Sequence, residues 1–260
     1  MTPIAALVLG IIQGITEFLP ISSSAHLALA HHFFDWNVKD NLTFDVALHF
    51  GTLVAILIFF ARDWGQMFAR RDRMLWFVLA ASVPGAIAGA LLEDAAESTF
   101  RGLPQMALLL AVMALLMAAA ERWGRKAQEL GQMRFGEAML IGLAQALAIM
   151  PGVSRSGVTM TAGLAFGLTR EAAARFSFLL ATPIMLGATL YQCRHLFGSE
   201  AGTVTWLPLI IGVVASGVTG FAAIAFLLRF LRQHSFYPFV FYRLALAAVI
   251  IVSVYFAAGA

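Results

Sequence analysis

Charged side chains are scarce in this 260-residue chain: Asp, Glu, Lys and Arg make up 12% of it, against 61% hydrophobic residues. A soluble domain carries about 25% charged residues, so there are too few here to cover a globule in water. Cysteine is nearly absent too. Cys193 stands alone, which excludes an internal disulfide and leaves an inert, buried thiol as its reading. The first residues, Met-Thr-Pro-Ile-Ala, lack a positive n-region, which argues against a cleaved signal peptide. A net charge of +3 and a pI near 9.4 would suit a nucleic-acid binder. That partner is rejected because the Lys and Arg residues sit mainly in short loops between apolar runs, where they orient a membrane protein. What the chain does have is apolar length, with a mean hydropathy of +0.85. We read it as an all-α integral membrane protein forming a single membrane domain over residues 1–260.

A spanning helix needs roughly 20 apolar residues. Six stretches qualify, at about 44–61, 74–93, 103–122, 173–194, 205–228 and 239–258. Two further segments, about 3–33 and 135–168, are apolar but interrupted by Pro, Ser and Gly, the pattern of re-entrant, broken-helix hairpins. The intervening charges alternate. Loops 62–73 and 121–134 and segment 229–236 are each net +2, whereas Glu93, Asp94, Glu97 and Arg101 sum to −2 and 195–204 holds only Glu200. The positive-inside rule makes the first group cytoplasmic and puts both termini outside. Trp36, Trp64, Trp76, Trp123 and Trp206 suit interfacial anchoring. The Gly- and Ala-rich faces, such as Pro84 to Gly89, suit close helix packing and permit a homodimer.

The two interrupted segments align at an offset of 132: Gln13 with Gln145, Ser24 with Ser156, Phe44 with Phe176, Leu48 with Leu180, Gly85 with Gly217. Each half, about 1–120 and 133–258, holds one hairpin and three spans. An odd number of spans inverts one half relative to the other, the inverted-topology internal repeat that builds central sites from broken helices. The competing explanation is chance likeness of two apolar segments.

The breaks carry the chemistry. The first reads Gln13-Gly-Ile-Thr-Glu17-Phe-Leu-Pro20-Ile-Ser22-Ser23-Ser24-Ala-His26; the second ends Pro151-Gly152-Val-Ser154-Arg155-Ser156-Gly157. A short helix follows each, and helix N-termini bind anions through free N–H groups and the helix dipole. The five serines are candidate phosphate ligands, although any one of them serves equally as a helix cap. Arg155 is a candidate phosphate clamp through its bidentate fork; the alternative is a structural ion pair with Glu17. His26 can act as acid, base or nucleophile, or be a satisfied buried histidine. Glu17, one turn from Gln13, can orient His26, pair with Arg155 or hold a divalent cation with Gln13 through oxygen ligands. The halves differ here: Ile149 replaces Glu17, and Arg155 stands opposite Ser23. His31, His32, His49, His195 and His234 have no comparable context. Tyr242-Arg243 can add a phosphate contact, but a snorkelling interface arginine is the preferred reading.

With these motifs the chain resembles the bacitracin-resistance type of undecaprenyl-diphosphate phosphatase. That family is marked by (E/Q)-x-x-x-E, P-x-S-S-x-x-H and P-G-x-S-R-S-G, matched here by Gln13 to Glu17, Pro20 to His26 and Pro151 to Gly157. The similarity extends to Phe176-Ser-Phe-Leu-Leu-Ala and Pro238 to Arg243. It implies a multi-pass enzyme of the bacterial inner membrane that hydrolyses undecaprenyl diphosphate to the monophosphate, recycling the cell-wall lipid carrier and conferring resistance to bacitracin. It further implies an outward-facing site and a divalent cation, Mg²⁺ or Ca²⁺. Carried over, Ser23 is nucleophile or phosphate ligand, His26 acid/base, Arg155 clamp, and Glu17 orienting or cation-binding carboxylate. Gln13, Ser22, Ser24, Ser154, Ser156 and Gly157 complete the substrate and cation contacts. The first acidic position is often Glu, and here it is Gln13, which leaves one carboxylate. A transporter or flippase of lipid-linked phosphates is the alternative, since inverted repeats also build transporters.

Overall fold

The computed structural model describes residues 2–34, 41–196 and 206–258. Trp36 and Glu200 lie outside the described residues, as do the side chains of Glu93, Glu97, Cys193 and His195. Eleven α-helices account for most of the described chain. The first hairpin is α1 (Pro3–Phe18) and α2 (Ser23–Phe34), followed by α3 (Asn41–Phe59), α4 (Ala61–Arg70), α5 (Arg73–Phe100) and α6 (Leu103–Trp123). The second hairpin is α7 (Phe135–Gln145), a 3₁₀ turn Ala146–Ile149 and α8 (Arg155–Ala165). Then come α9 (Arg170–Leu196), α10 (Trp206–Leu231) and α11 (Tyr237–Ala258).

Five of these helices are long and apolar enough to cross a membrane, and a sixth span forms if α3 and α4 count as one helix bent by 62°. Their positions match the six expected spans. Loop 62–73 is different from the expectation. Most of it is α4, whose charges Arg62, Asp63 and Arg70 share the helix with Trp64, Met67 and Phe68. Charges and apolar groups on one short helix make it amphipathic, the kind of helix that lies along a membrane surface. It stops at Arg71, which takes the left-handed conformation and returns its N–H to Met67 and Phe68 carbonyls.

Polarity runs inside out. Large apolar side chains such as Leu91, Trp123 and Tyr255 are at least 75% exposed, while Gln13, Arg243 and Ser216 are fully buried. A water-soluble monomer does not present so much contiguous apolar surface; lipid is the solvent these faces fit.

The two halves pack in matching pairs. Helix α1 lies against α10, and its counterpart α7 lies against α5; α3 meets α9 and α6 meets α11. Two glycines 132 apart make the first pairing possible. A methyl group on Gly10 would run into the Gly212 carbonyl, and one on Gly142 into the Ala81 carbonyl. Small residues at such crossings let helix backbones touch where no hydrophobic force drives helices together. Both hairpins are thereby held deep in the molecule, with α9 and its buried Phe176, Phe178 and Leu180 behind them.

Candidate active site

Each hairpin breaks on a serine with positive φ, Ser22 at 74° and Ser154 at 72°. That conformation is unusual for a residue with a Cβ and persists only where the surroundings enforce it. The turns repeat in their hydrogen bonds as well. Ser22 and Ser24 hydroxyls lie 3.1 Å apart, Ser154 and Ser156 hydroxyls 3.2 Å. Ser154 caps α8 by accepting the Gly157 N–H at 3.1 Å.

The turns abut. The Gly152 N–H donates to the Ser24 hydroxyl at 3.2 Å, and the Ser156 hydroxyl donates to the Leu19 carbonyl at 3.1 Å. Beneath them lies Arg243, fully buried. Its guanidinium donates to the carbonyls of Pro20, Gly152, Val153 and Leu110, at 3.0 to 3.3 Å. This corrects the snorkelling reading: Arg243 turns inward because two helix breaks leave backbone oxygens that only a multi-donor cation can satisfy together.

Glu17 is the hub. One carboxylate oxygen accepts Arg155 from the other hairpin. The second oxygen accepts Ser23 Oγ at 2.8 Å and Gln13 Nε2 at 3.1 Å, and lies 3.6 Å from His49 Nε2. Glu17 therefore does pair with Arg155, as one reading of the sequence had it. That pairing uses one terminal nitrogen of a side chain still 20% exposed. Glu17 does not orient His26. The imidazole is held instead by the Ser22 carbonyl at 2.7 Å and the Tyr242 hydroxyl at 2.7 Å. Ser22 and Ser156 are buried, Ser23 and Ser154 half-buried, and Ser24 exposed.

Three residues of this cluster escaped the sequence reading. The sequence alone lends His49 no context, favours the interface for Arg243, and offers Tyr242 only as a phosphate contact, whereas the structure sets them beside Glu17, beneath the turns and on His26. A histidine within an apolar helix is the one signal His49 offered; its partner Glu17 lies on another helix and is invisible in the local sequence.

A resident divalent cation does not fit these residues. Such an ion gathers about six oxygen ligands. Both Glu17 oxygens are engaged, largely by N–H donors, and beside them Gln13 Oε1 is buried without a partner among the described residues. Among the described residues no three His, Cys, Asp or Glu side chains converge on one point.

Residues 6–249 match the family model described as bacitracin resistance protein BacA. Curated relatives named undecaprenyl-diphosphatase cover almost the full length. One from Moorella thermoacetica is 48% identical over 259 residues, spanning 96% of this chain and 97% of the relative. One from Pelotomaculum thermopropionicum is 48% identical over 260 residues, 97% of each. One from Geobacter metallireducens is 44% identical over 268 residues, 98% of this chain and 99% of its own.

Proposed function

The chain belongs to the bacitracin resistance protein family, and on that premise we propose that it is a multi-pass membrane phosphatase converting undecaprenyl diphosphate to the monophosphate and phosphate. The observation that carries the site is the hydrogen bond from Ser23 Oγ to Glu17 Oε2, with Arg155 on the other oxygen of the same carboxylate. A serine hydroxyl bonded to a carboxylate is a nucleophile beside its base.

In this reading Ser23 Oγ attacks the terminal phosphorus and Glu17 takes the hydroxyl proton. The bond from phosphorus to the bridging oxygen breaks, and undecaprenyl phosphate leaves. Arg155 and the N-termini of α2 and α8 face the charge that builds on the phosphoryl oxygens. Water then attacks the phosphoserine, with His26 as proton acceptor. Ser22, Ser24, Ser154, Ser156 and Gly157 shape the phosphate cradle, Ser22 and Ser156 by fixing the turns. Mg²⁺ or Ca²⁺ would come with the diphosphate of the substrate, whose oxygens supply the ligands the protein lacks. The isoprenoid lies along the apolar helices, in the bacterial inner membrane, and the pocket opens to the periplasmic side. Transport of lipid-linked phosphates accounts for paired halves, but not for a nucleophile and base on one hairpin and a cation on the other.

The test is phosphate release by purified, detergent-solubilised protein given undecaprenyl diphosphate. Release is expected. Its absence both with and without Mg²⁺ or Ca²⁺ overturns the phosphatase reading. Arg155→Ala should lower kcat/KM by roughly 10²–10³-fold, the loss seen when one donor to a developing oxyanion is removed. Release that survives both Arg155→Ala and His26→Ala overturns the site assignment.

A further inference from the structure

His26 is hydrogen-bonded at both ring nitrogens. Nδ1 lies 2.7 Å from the Ser22 carbonyl oxygen, and a carbonyl only accepts, so Nδ1 carries the proton. In the neutral ring Nε2 then holds the lone pair, and the Tyr242 hydroxyl donates to it at 2.7 Å. The two rings are within 6° of parallel. Tyr242 stands on α11 next to Arg243, whose four carbonyl bonds fix that stretch of backbone beneath both turns. The nitrogen that would take a proton from water is thus covered by a phenol, and the phenol is 45% exposed.

We propose that Tyr242 is a further catalytic residue of the hydrolytic step, relaying the proton from the attacking water to His26. This rests on the phosphatase reading above. Water forms the new bond to phosphorus and gives its proton to Tyr242 Oη, while Tyr242 gives its own to His26 Nε2. The bond between phosphorus and Ser23 Oγ breaks, and Oγ recovers the proton that Glu17 held from the first step. The imidazolium keeps its Nδ1–H on Ser22 and afterwards returns the Nε2 proton to Tyr242 Oη, which releases its own proton to solvent. The phenol ends the cycle neutral.

Tyr242→Phe tests this by deleting the hydroxyl and keeping the ring. Turnover should fall roughly 10²-fold, the scale of a lost proton-transfer catalyst, with KM falling alongside it, kcat/KM little changed and phosphoserine at Ser23 accumulating in the steady state. Accumulation separates the relay from a packing role, which would slow both steps or neither. Wild-type turnover in Tyr242→Phe overturns the proposal, as does slow turnover without phosphoserine. Nitrogen-15 NMR of the histidine rings in the wild type, with His26 assigned by its substitution, adds a measurement that needs no active variant. A proton on Nδ1 is expected, and a proton on Nε2 of the neutral ring overturns the relay. A wild-type protein that releases no phosphate fails the phosphatase reading itself, whichever tautomer is found.

Discussion

Arg155 and Arg243 are both arginines in an apolar fold, and their surroundings are opposite. Arg155 meets a carboxylate and is partly exposed; Arg243 meets four backbone carbonyls and is sealed. The first therefore keeps donors for the phosphate proposed above, and the second holds the two turns together. Arg243→Met would orphan carbonyls from both turns, at about 1–3 kcal/mol for each buried group left unpaired. The thermal unfolding midpoint in detergent should drop well below that of the wild type, and Arg243→Lys should recover only part of it, because an ammonium lacks the span of the fork. A wild-type midpoint for Arg243→Met would show that the turns hold without it. Sequence made Glu17, Ser23 and Arg155 legible because such groups are costly in an apolar segment and were clustered. It could not show which way Arg243 turns, since depth along a helix says nothing of direction. His49 stayed hidden for a related reason: the carboxylate beside it arrives from another helix.

The helices themselves were largely legible. Apolar runs set their lengths, and Pro20, Pro151 and the serines marked the breaks between α1 and α2 and between α7 and α8. Helix α4 reads as a loop in the sequence because its charges crowd a short segment between two spans, and only their helical periodicity marks it. Helix contacts were legible only as a richness in glycine. The structure makes them specific: Gly10 touches α10 and Gly142 touches α5 through backbone, with no room for a methyl group. Gly10→Ala and Gly142→Ala should each push apart a helix pair that holds a hairpin. Overpacking of this kind costs about 1–3 kcal/mol, read as a lowered unfolding midpoint. Gly65→Ala, on the surface helix α4 with open space around it, is the control and should stay close to wild type. Equal midpoints for all three would show that the pairs α1–α10 and α5–α7 yield without strain.

Across the whole molecule, the two hairpins are alike in their turns and unlike in the charged groups they carry. Gln13 and Gln145 occupy matching places on α1 and α7, and both are buried. Gln13 donates to Glu17 at 3.1 Å. Gln145 has Ile149 where Glu17 would be, and neither atom of its amide has a partner among the described residues. One amide therefore serves a carboxylate, while the other keeps the residue type without the role. The 132-residue offset is visible in the sequence; that the second glutamine lacks a partner is not, because only the folded chain shows what an amide touches. Replacing a buried polar group that has no partner with an apolar one of similar size is neutral or stabilising. Gln145→Leu should therefore leave turnover intact and hold or raise the unfolding midpoint. Gln13→Leu removes a hydrogen bond to a charged group, worth about 1.5–3 kcal/mol, and should lower turnover by loosening the carboxylate that serves Ser23. Phosphate release and thermal unfolding, measured side by side on the two variants, decide the matter. If Gln145→Leu loses as much activity as Gln13→Leu, the second hairpin takes part in the chemistry beyond Arg155, and the division of labour drawn from Glu17 and Ile149 is wrong.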